Sequence, residues 1–184
     1  MPTKDLTISA IKAQAFGVVA FVIGAPLLFW PFYQIWGFSP KQLLPSGVVP
    51  ILLFIVAMFI GIVVHELIHG LTAHWYGRIG WQHIKFGFDV KSGSPYCHAT
   101  VPMTSGKYRV VVVMPLVILG LVPYAVSLLT GHVWLLSFGV FFTLAAVGDV
   151  MILWLMRHLP SDVLVQDHPT KVGLMVIRPE EPYS

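Results

Sequence analysis

Four long apolar stretches dominate the pattern of hydrophobic and polar positions along the chain. Each is 20 to 24 residues long and contains at most one charged side chain. An α-helix rises about 1.5 Å per residue, so about 20 residues cross the roughly 30 Å hydrocarbon core of a bilayer. The pattern therefore predicts four membrane-spanning helices. They are Ala15–Phe38, Val48–Leu71, Val110–Leu129 and Val133–Met156.

Proline residues interrupt two of these stretches. Proline lacks the N–H that a helix interior needs, and its ring clashes with the preceding turn. Pro26 and Pro31 in the first stretch predict a kink or a re-entrant second half. Pro115 and Pro123 predict local bends in the third stretch.

The polar segments lie at the two ends of the chain and between the second and third helices. In the middle segment, residues 81–88 alternate imperfectly between polar and apolar, residues 91–95 are typical of a turn, and residues 96–101 can return as a second strand. The tail contains one candidate strand, Gly173–Ile177. We therefore predict an all-α integral membrane protein with about four transmembrane helices and a small cytoplasmic β-hairpin. The predicted domains are a lead at 1–14, a four-helix membrane domain at 15–156 with a hairpin insertion at 74–109, and a cytoplasmic tail at 157–184.

Composition and charge agree with a membrane protein and exclude an ordinary soluble domain. Hydrophobic residues make up 57% of the chain and charged residues 10%, whereas soluble domains average about half and a quarter. If the N-terminus is cytoplasmic, ten of the eleven Lys and Arg residues lie on the cytoplasmic side, and Lys41 alone lies outside. This asymmetry predicts that both termini are cytoplasmic. We expect a multi-pass protein in a lipid bilayer, in the plasma membrane of a prokaryote, and no nucleic-acid partner, because no basic and aromatic stripe is present.

The second apolar stretch ends in a motif that carries chemistry, His65-Glu66-Leu67-Ile68-His69. Residues four apart share a helix face, so His65 and His69 can both bind one tetrahedral Zn²⁺ ion while Glu66 lies beside the open position. Zinc lowers the pKa of bound water to roughly 7, and a neighbouring carboxylate can take its proton. The alternative is a polar cluster without metal. An ionisable group in an apolar run is costly, however, and this favours a functional role for Glu66.

Two histidines leave a zinc site incomplete, and Asp149 is the candidate for the third protein ligand. It is the only charged residue of the fourth apolar stretch. On the predicted topology it lies near the same membrane face as His65 and His69. The alternative is a buried aspartate held by a hydroxyl, a histidine or a lysine of a neighbouring helix. His98, in the predicted hairpin, is either structural or close enough to the site to assist an oxyanion.

Several short segments of the chain also match a known family pattern. They are His65-Glu66-Leu67-Ile68-His69-Gly70 at the end of a helix, Lys85-Phe86-Gly87-Phe88, Tyr96-Cys97, Gly148-Asp149, and Gln166-Asp167-His168-Pro169 in the tail. On these segments the chain resembles the Putative zincin peptidase family of integral membrane proteins, related to the site-2 zinc proteases. The relationship to site-2 proteases is distant, because those usually follow the ligand aspartate with glycine, whereas here glycine precedes it. The resemblance implies His65 and His69 as metal ligands, Glu66 as catalytic base and Asp149 as third ligand.

We therefore predict an intramembrane or membrane-proximal zinc metalloprotease that cleaves a membrane-protein or peptide substrate with a zinc-activated water. Two alternatives stay open: a zinc-binding scaffold or regulator without catalysis, and a metal or proton transporter. A transporter is expected to distribute polar groups along a crossing path. The apolar run Val48–Val64 offers few such groups, so the sequence favours the protease.

Overall fold

The computed structural model of the chain describes residues 3–37, 47–90, 93–169 and 171–177. Most of the predicted external loop at 37–47, including Lys41, lies outside the described residues, as does the end of the tail from Arg178.

Helices account for most of the described chain. The α-helices are α1 (Ala10–Trp36), α2 (Val48–Trp75), α3 (Ser105–Pro115), α4 (Val122–Thr130), α5 (Val133–Ala145) and α6 (Val147–Leu155). A π-helix at Leu116–Leu121 joins α3 to α4, and a 3₁₀ helix occupies Trp81–His83.

Four helical spans within the described residues are long and apolar enough to cross a membrane, by length and composition. Most of the apolar side chains of α1 and α2 are exposed: Val22 is 68% exposed and Phe59 66% exposed. Soluble proteins rarely expose so much apolar surface, and these four helical spans suggest a multi-pass membrane protein. The spans are Ile11–Trp36, Val48–Trp75, Ser105–Thr130 and Val133–Leu155.

The prolines have different effects in the two spans that contain them. Helix α1 continues through both Pro26 and Pro31 without interruption. In the third span, Pro115 and Pro123 flank the π-helix, in which the Val122 N–H donates to the Val117 carbonyl five residues back. A shift from the usual i→i−4 bonds to i→i−5 is a common local response where a residue cannot take part in the regular ladder.

Two small antiparallel sheets accompany the helices, rather than a hairpin alone. The predicted hairpin is present and pairs β2 with β3. The candidate strand Gly173–Ile177 is also present, within β6. A four-stranded sheet in the order β1-β6-β5-β4 was not predicted, because its strands are short and far apart in the chain. The strands are β1 (Thr3–Ile8), β2 (Ile84–Asp89), β3 (Ser94–Ala99), β4 (Met103–Thr104), β5 (Leu164–Asp167) and β6 (Val172–Ile177).

The chain divides into two compact units. The first unit comprises Met1–Gln14, Glu66–Met114 and Gly148–Ser184, and the second comprises Ala15–His65 and Pro115–Val147. The first unit therefore contains both sheets, the C-terminal part of α2, most of α3 and nearly all of α6. Its core joins helix and sheet residues. They include Ala73 of α2, Ile84 and Ala99 of the hairpin, Val111 and Val112 of α3, and Val165 and Leu174 of the four-stranded sheet.

The second unit is wholly helical. Phe32 and Leu136 are fully buried in its core with Val140 and Leu144. A hydrogen bond also joins two of its helices: the Tyr124 hydroxyl of α4 donates to the Leu28 carbonyl of α1 at 2.9 Å.

Candidate metal centre

The sequence motif lies within one unbroken helix. Helix α2 continues from Val48 to Trp75, so His65 and His69 lie one turn apart on one face. Both histidines and Glu66 are half-buried. The apolar residues before the motif and the absence of glycine or proline from residues 62–69 favour a regular helix there.

Asp149 lies at a break in the fourth span that the sequence pattern did not predict. Helix α5 ends at Ala145, Ala146 leaves helical geometry, and α6 begins at Val147. Asp149 consequently lies in the first turn of α6. Free backbone N–H groups and the helix dipole favour a carboxylate at that position.

The two histidines and the aspartate are brought together. The His69 Nε2 atom lies 3.4 Å from Asp149 Oδ1. One ligand atom from each of His65, His69 and Asp149 can be chosen so that all lie within 4.8 Å of one another. Two imidazoles and one carboxylate make up a common protein donor set of catalytic zinc sites, which leave a fourth position for water or substrate. The group can therefore bind a metal ion, and its chemistry fits zinc.

The orientation of His69 also fits a metal ligand. Its Nδ1 atom lies 2.9 Å from the carbonyl oxygen of Val111 in α3. A carbonyl oxygen can only accept, so Nδ1 carries a hydrogen, and Nε2, on the side of Asp149, is the ring nitrogen that would bind a metal ion. Zinc-binding histidines usually donate their second ring N–H to a carbonyl or carboxylate in this way.

The hairpin covers the end of the motif. Any Cβ at Gly70 would collide with the ring of Phe86 in β2, so glycine permits this close approach. Phe86 is paired with Cys97 of β3, and the thiol is close enough to Glu66 to be affected by its charge. Burial first, and then the charges of Glu66 and Asp167, raise the pKa of the Cys97 thiol to about 12. The apolar face of the hairpin thus lies beside the catalytic carboxylate proposed from the sequence.

Asp167 in β5 connects the hairpin to α3, and the sequence reasoning assigned it no role. One carboxylate oxygen accepts the Ala99 N–H at 2.7 Å, and the other accepts the Tyr108 hydroxyl. Its neighbour Gln166 donates to the Thr100 carbonyl at 2.9 Å. Burial raises the pKa of the Asp167 carboxyl, and these two donors oppose that effect. The Gln166-Asp167-His168-Pro169 match marked this segment, but its contacts are between residues distant in the chain.

His98 lies on the other face of the hairpin from Cys97, because side chains alternate along a strand. Its ring is 4.6 Å from that of Tyr96. Among the described residues, His98 is not part of the group that can bind a metal. The candidate site therefore consists of the residues predicted first: His65, Glu66, His69 and Asp149.

Comparison with known proteins supplies one match. The model of a family described as "Putative zincin peptidase" matches residues 58–164, which is more than half of the chain. The match includes all four residues of the candidate site. No curated protein and no solved structure matches the chain.

Proposed function

Because the chain belongs to the Putative zincin peptidase family, we propose that it is a zinc metallopeptidase that cleaves peptide bonds within or next to a membrane. The observation that carries this proposal is the group formed by His65, His69 and Asp149, with ligand atoms within 4.8 Å of one another. Glu66 follows His65 directly in the same helix. The four long apolar helices support action at a membrane, and the chemistry resembles that of site-2 proteases.

Each residue of the site has a separate task in this proposal. His69 binds zinc through Nε2, while its Nδ1–H is held by the Val111 carbonyl. His65 supplies a second ring nitrogen, and Asp149 supplies a carboxylate oxygen. Zinc, when bound, polarises a carbonyl group and acidifies a water molecule. Glu66 takes a proton from the attacking water molecule at a carboxylate oxygen as the water oxygen bonds to the peptide carbonyl carbon, and it gives that proton to the amine that leaves as the C–N bond breaks.

Strand pairing supports the proposed topology. β1, near the N-terminus, pairs with β6 of the tail, and β4, just before α3, pairs with β5. Strands that hydrogen-bond to each other lie on the same side of a membrane, because a sheet edge within lipid would leave polar groups unsatisfied. Four spans also return the chain to its starting side. We propose that this side is the cytoplasm, since it has ten of the eleven basic residues.

The outer edge of β2 is the proposed substrate-binding strand. The Thr100 N–H donates to the His83 carbonyl, which establishes the alternation along the hairpin. Lys85 and Gly87 therefore direct their backbone groups toward β3, and Ile84, Phe86 and Phe88 direct theirs to the opposite edge. Within the described residues, β2 pairs only with β3, so this edge can accept an extended peptide. The Phe86 side chain packs against Gly70, the residue after His69, and this supports a substrate position near the proposed metal site.

The decisive experiment compares wild-type protein with Glu66→Gln, which removes the base but keeps the side-chain size. Membrane proteins from cells producing each form are compared by quantitative mass spectrometry, and both purified forms are analysed for zinc. We expect one or more proteins to remain uncut only with Glu66→Gln, while both forms hold about one zinc per chain. Asp162→Asn, a change at an exposed carboxylate, is the control and should cleave normally.

Other outcomes contradict the proposal in distinct ways. Equal cleavage patterns with zinc bound in both forms indicate a scaffold or regulator. Zinc uptake into proteoliposomes that depends on Asp149 but not on Glu66 indicates a transporter. No zinc in either form removes the basis of the proposal.

A further inference from the structure

The Val111 carbonyl accepts a hydrogen bond from a side chain of another helix, although Val111 lies inside α3. Its partner is His69 Nδ1, at 2.9 Å. In a regular α-helix, this carbonyl accepts the N–H of the residue four positions later. A side-chain donor from α2 therefore occupies a position that a backbone donor usually takes.

The reason lies at residue 115, which is proline. Proline has no backbone N–H, so the bond from residue 115 to the Val111 carbonyl is chemically impossible. Buried carbonyl oxygens in an apolar surrounding are nearly always paired, because an unpaired one costs a substantial part of a hydrogen bond. The proline thus leaves an acceptor on α3 that the His69 ring N–H satisfies.

We propose that Pro115 is a positioning residue of the metal centre. By supplying no N–H, it reserves the Val111 carbonyl for His69. That bond holds the ring with Nδ1 protonated and directs Nε2 to the side of Asp149, 3.4 Å away. The inference rests on the proposed zinc site, and it assigns a role to a proline that has no ligand atom of its own.

The test restores the missing donor. In Pro115→Ala, the backbone N–H introduced at position 115 competes with His69 for the Val111 carbonyl. We expect zinc affinity to fall by about 10- to 100-fold, the usual effect of removing a hydrogen-bond partner of a metal-binding histidine. The melting temperature of the metal-free protein should stay the same or rise, because the helix gains a backbone bond. A merely structural proline predicts the opposite result, namely lower stability with unchanged affinity.

Two matched controls isolate the N–H group. Lactic acid incorporated at position 115 has the alanine methyl group but an ester oxygen in place of the N–H, and it should restore zinc affinity to within about threefold of wild type. Pro123→Ala makes the same change elsewhere in the same span and should leave zinc affinity unaltered. Nitrogen-15 NMR of labelled histidine in the metal-free protein gives a further measurement. The Nδ1–H of His69 should show the shift of a hydrogen-bonded donor in wild type and lose that shift in Pro115→Ala.

The outcomes separate this inference from the proposed function. If wild type binds zinc and Pro115→Ala binds it equally well, the positioning role is wrong and the metal site stands. Equal weakening by alanine and by lactic acid at residue 115 also overturns the role, because the N–H is then irrelevant. If wild type binds no zinc, the proposed function fails, and the NMR measurement alone decides the role of Pro115.

Discussion

Replacing Asp149 with alanine tests whether this residue binds the metal or only pairs with His69. The distance of 3.4 Å between His69 Nε2 and Asp149 Oδ1 is compatible with both roles. A metal ligand and an ion-pair partner differ in what their loss changes. Loss of a ligand lowers zinc affinity, whereas loss of an ion-pair partner lowers stability and leaves His65 and His69 to hold the metal.

The expected loss of zinc affinity follows from the number of ligands. Zinc sites with four protein ligands have an apparent binding free energy of about 10 to 16 kcal/mol, so one ligand contributes about 2.5 to 4 kcal/mol. That range corresponds to roughly a 10²- to 10³-fold rise in the Kd for zinc. The same argument applies to His69→Ala, because each change removes one of the three ligand atoms that lie within 4.8 Å. The two variants should therefore weaken zinc binding to a similar extent.

The assay is competition with a chromophoric chelator, using purified protein in lipid nanodiscs, with metal content measured by elemental mass spectrometry. Asp162→Ala, at an exposed position, controls for the loss of one negative charge and should change the Kd by less than about twofold. Zinc affinity in Asp149→Ala within about twofold of wild type, together with a large loss in His69→Ala, would refute the reasoning. Asp149 would then be an ion-pair partner, and the third ligand would have to be found elsewhere.

Four further predictions concern the surroundings of the site. Asp167→Asn replaces one accepting oxygen with an NH₂ group, so either the Ala99 N–H or the Tyr108 hydroxyl loses its acceptor. We expect the free energy of unfolding, measured by thermal denaturation, to fall by about 1 to 3 kcal/mol. An unchanged melting temperature would contradict this prediction. Burial and the charges of Glu66 and Asp167 raise the pKa of Cys97 from 9.0 to about 12, so its thiolate is scarcer at pH 8 than that of a free cysteine, and iodoacetamide labelling should be slower by at least about tenfold. Glu66→Gln should speed that labelling, because it removes a charge that raises the pKa of the thiol; an unchanged rate would mean that Glu66 and Cys97 are not neighbours. Phe88→Pro removes an N–H from the open edge of β2 and should impair cleavage without lowering the melting temperature. Lys85→Pro removes a hydrogen bond to β3 and should lower the melting temperature. Equal effects of the two variants on cleavage and on melting temperature would exclude the edge-strand proposal.

Sequence alone determined the features of this protein that depend on neighbouring residues. The four apolar helices follow from runs of side chains that can meet lipid along their whole length. The turn residues between residues 91 and 95 predicted the hairpin. The spacing of His65 and His69 is a property of any α-helix, so their common face needed no tertiary information. These predictions are local, and backbone geometry is sufficient to make them.

Only the tertiary structure decided which distant groups meet. The sequence proposed Asp149 from its charge and membrane depth, but its position in the first turn of α6 depends on a helix break at Ala146, and residues 144–147 contain no glycine or proline that would mark it. The pairing of β1 with β6 joins opposite ends of the chain, and no local pattern encodes such a contact. Pro115 was visible in the sequence as a bend, yet its effect on His69 depends on the packing of α2 against α3 within the first unit. Every residue except proline has the same backbone N–H and carbonyl groups. The sequence therefore does not show which backbone group will bind a side chain, and the packing of the helices decides it.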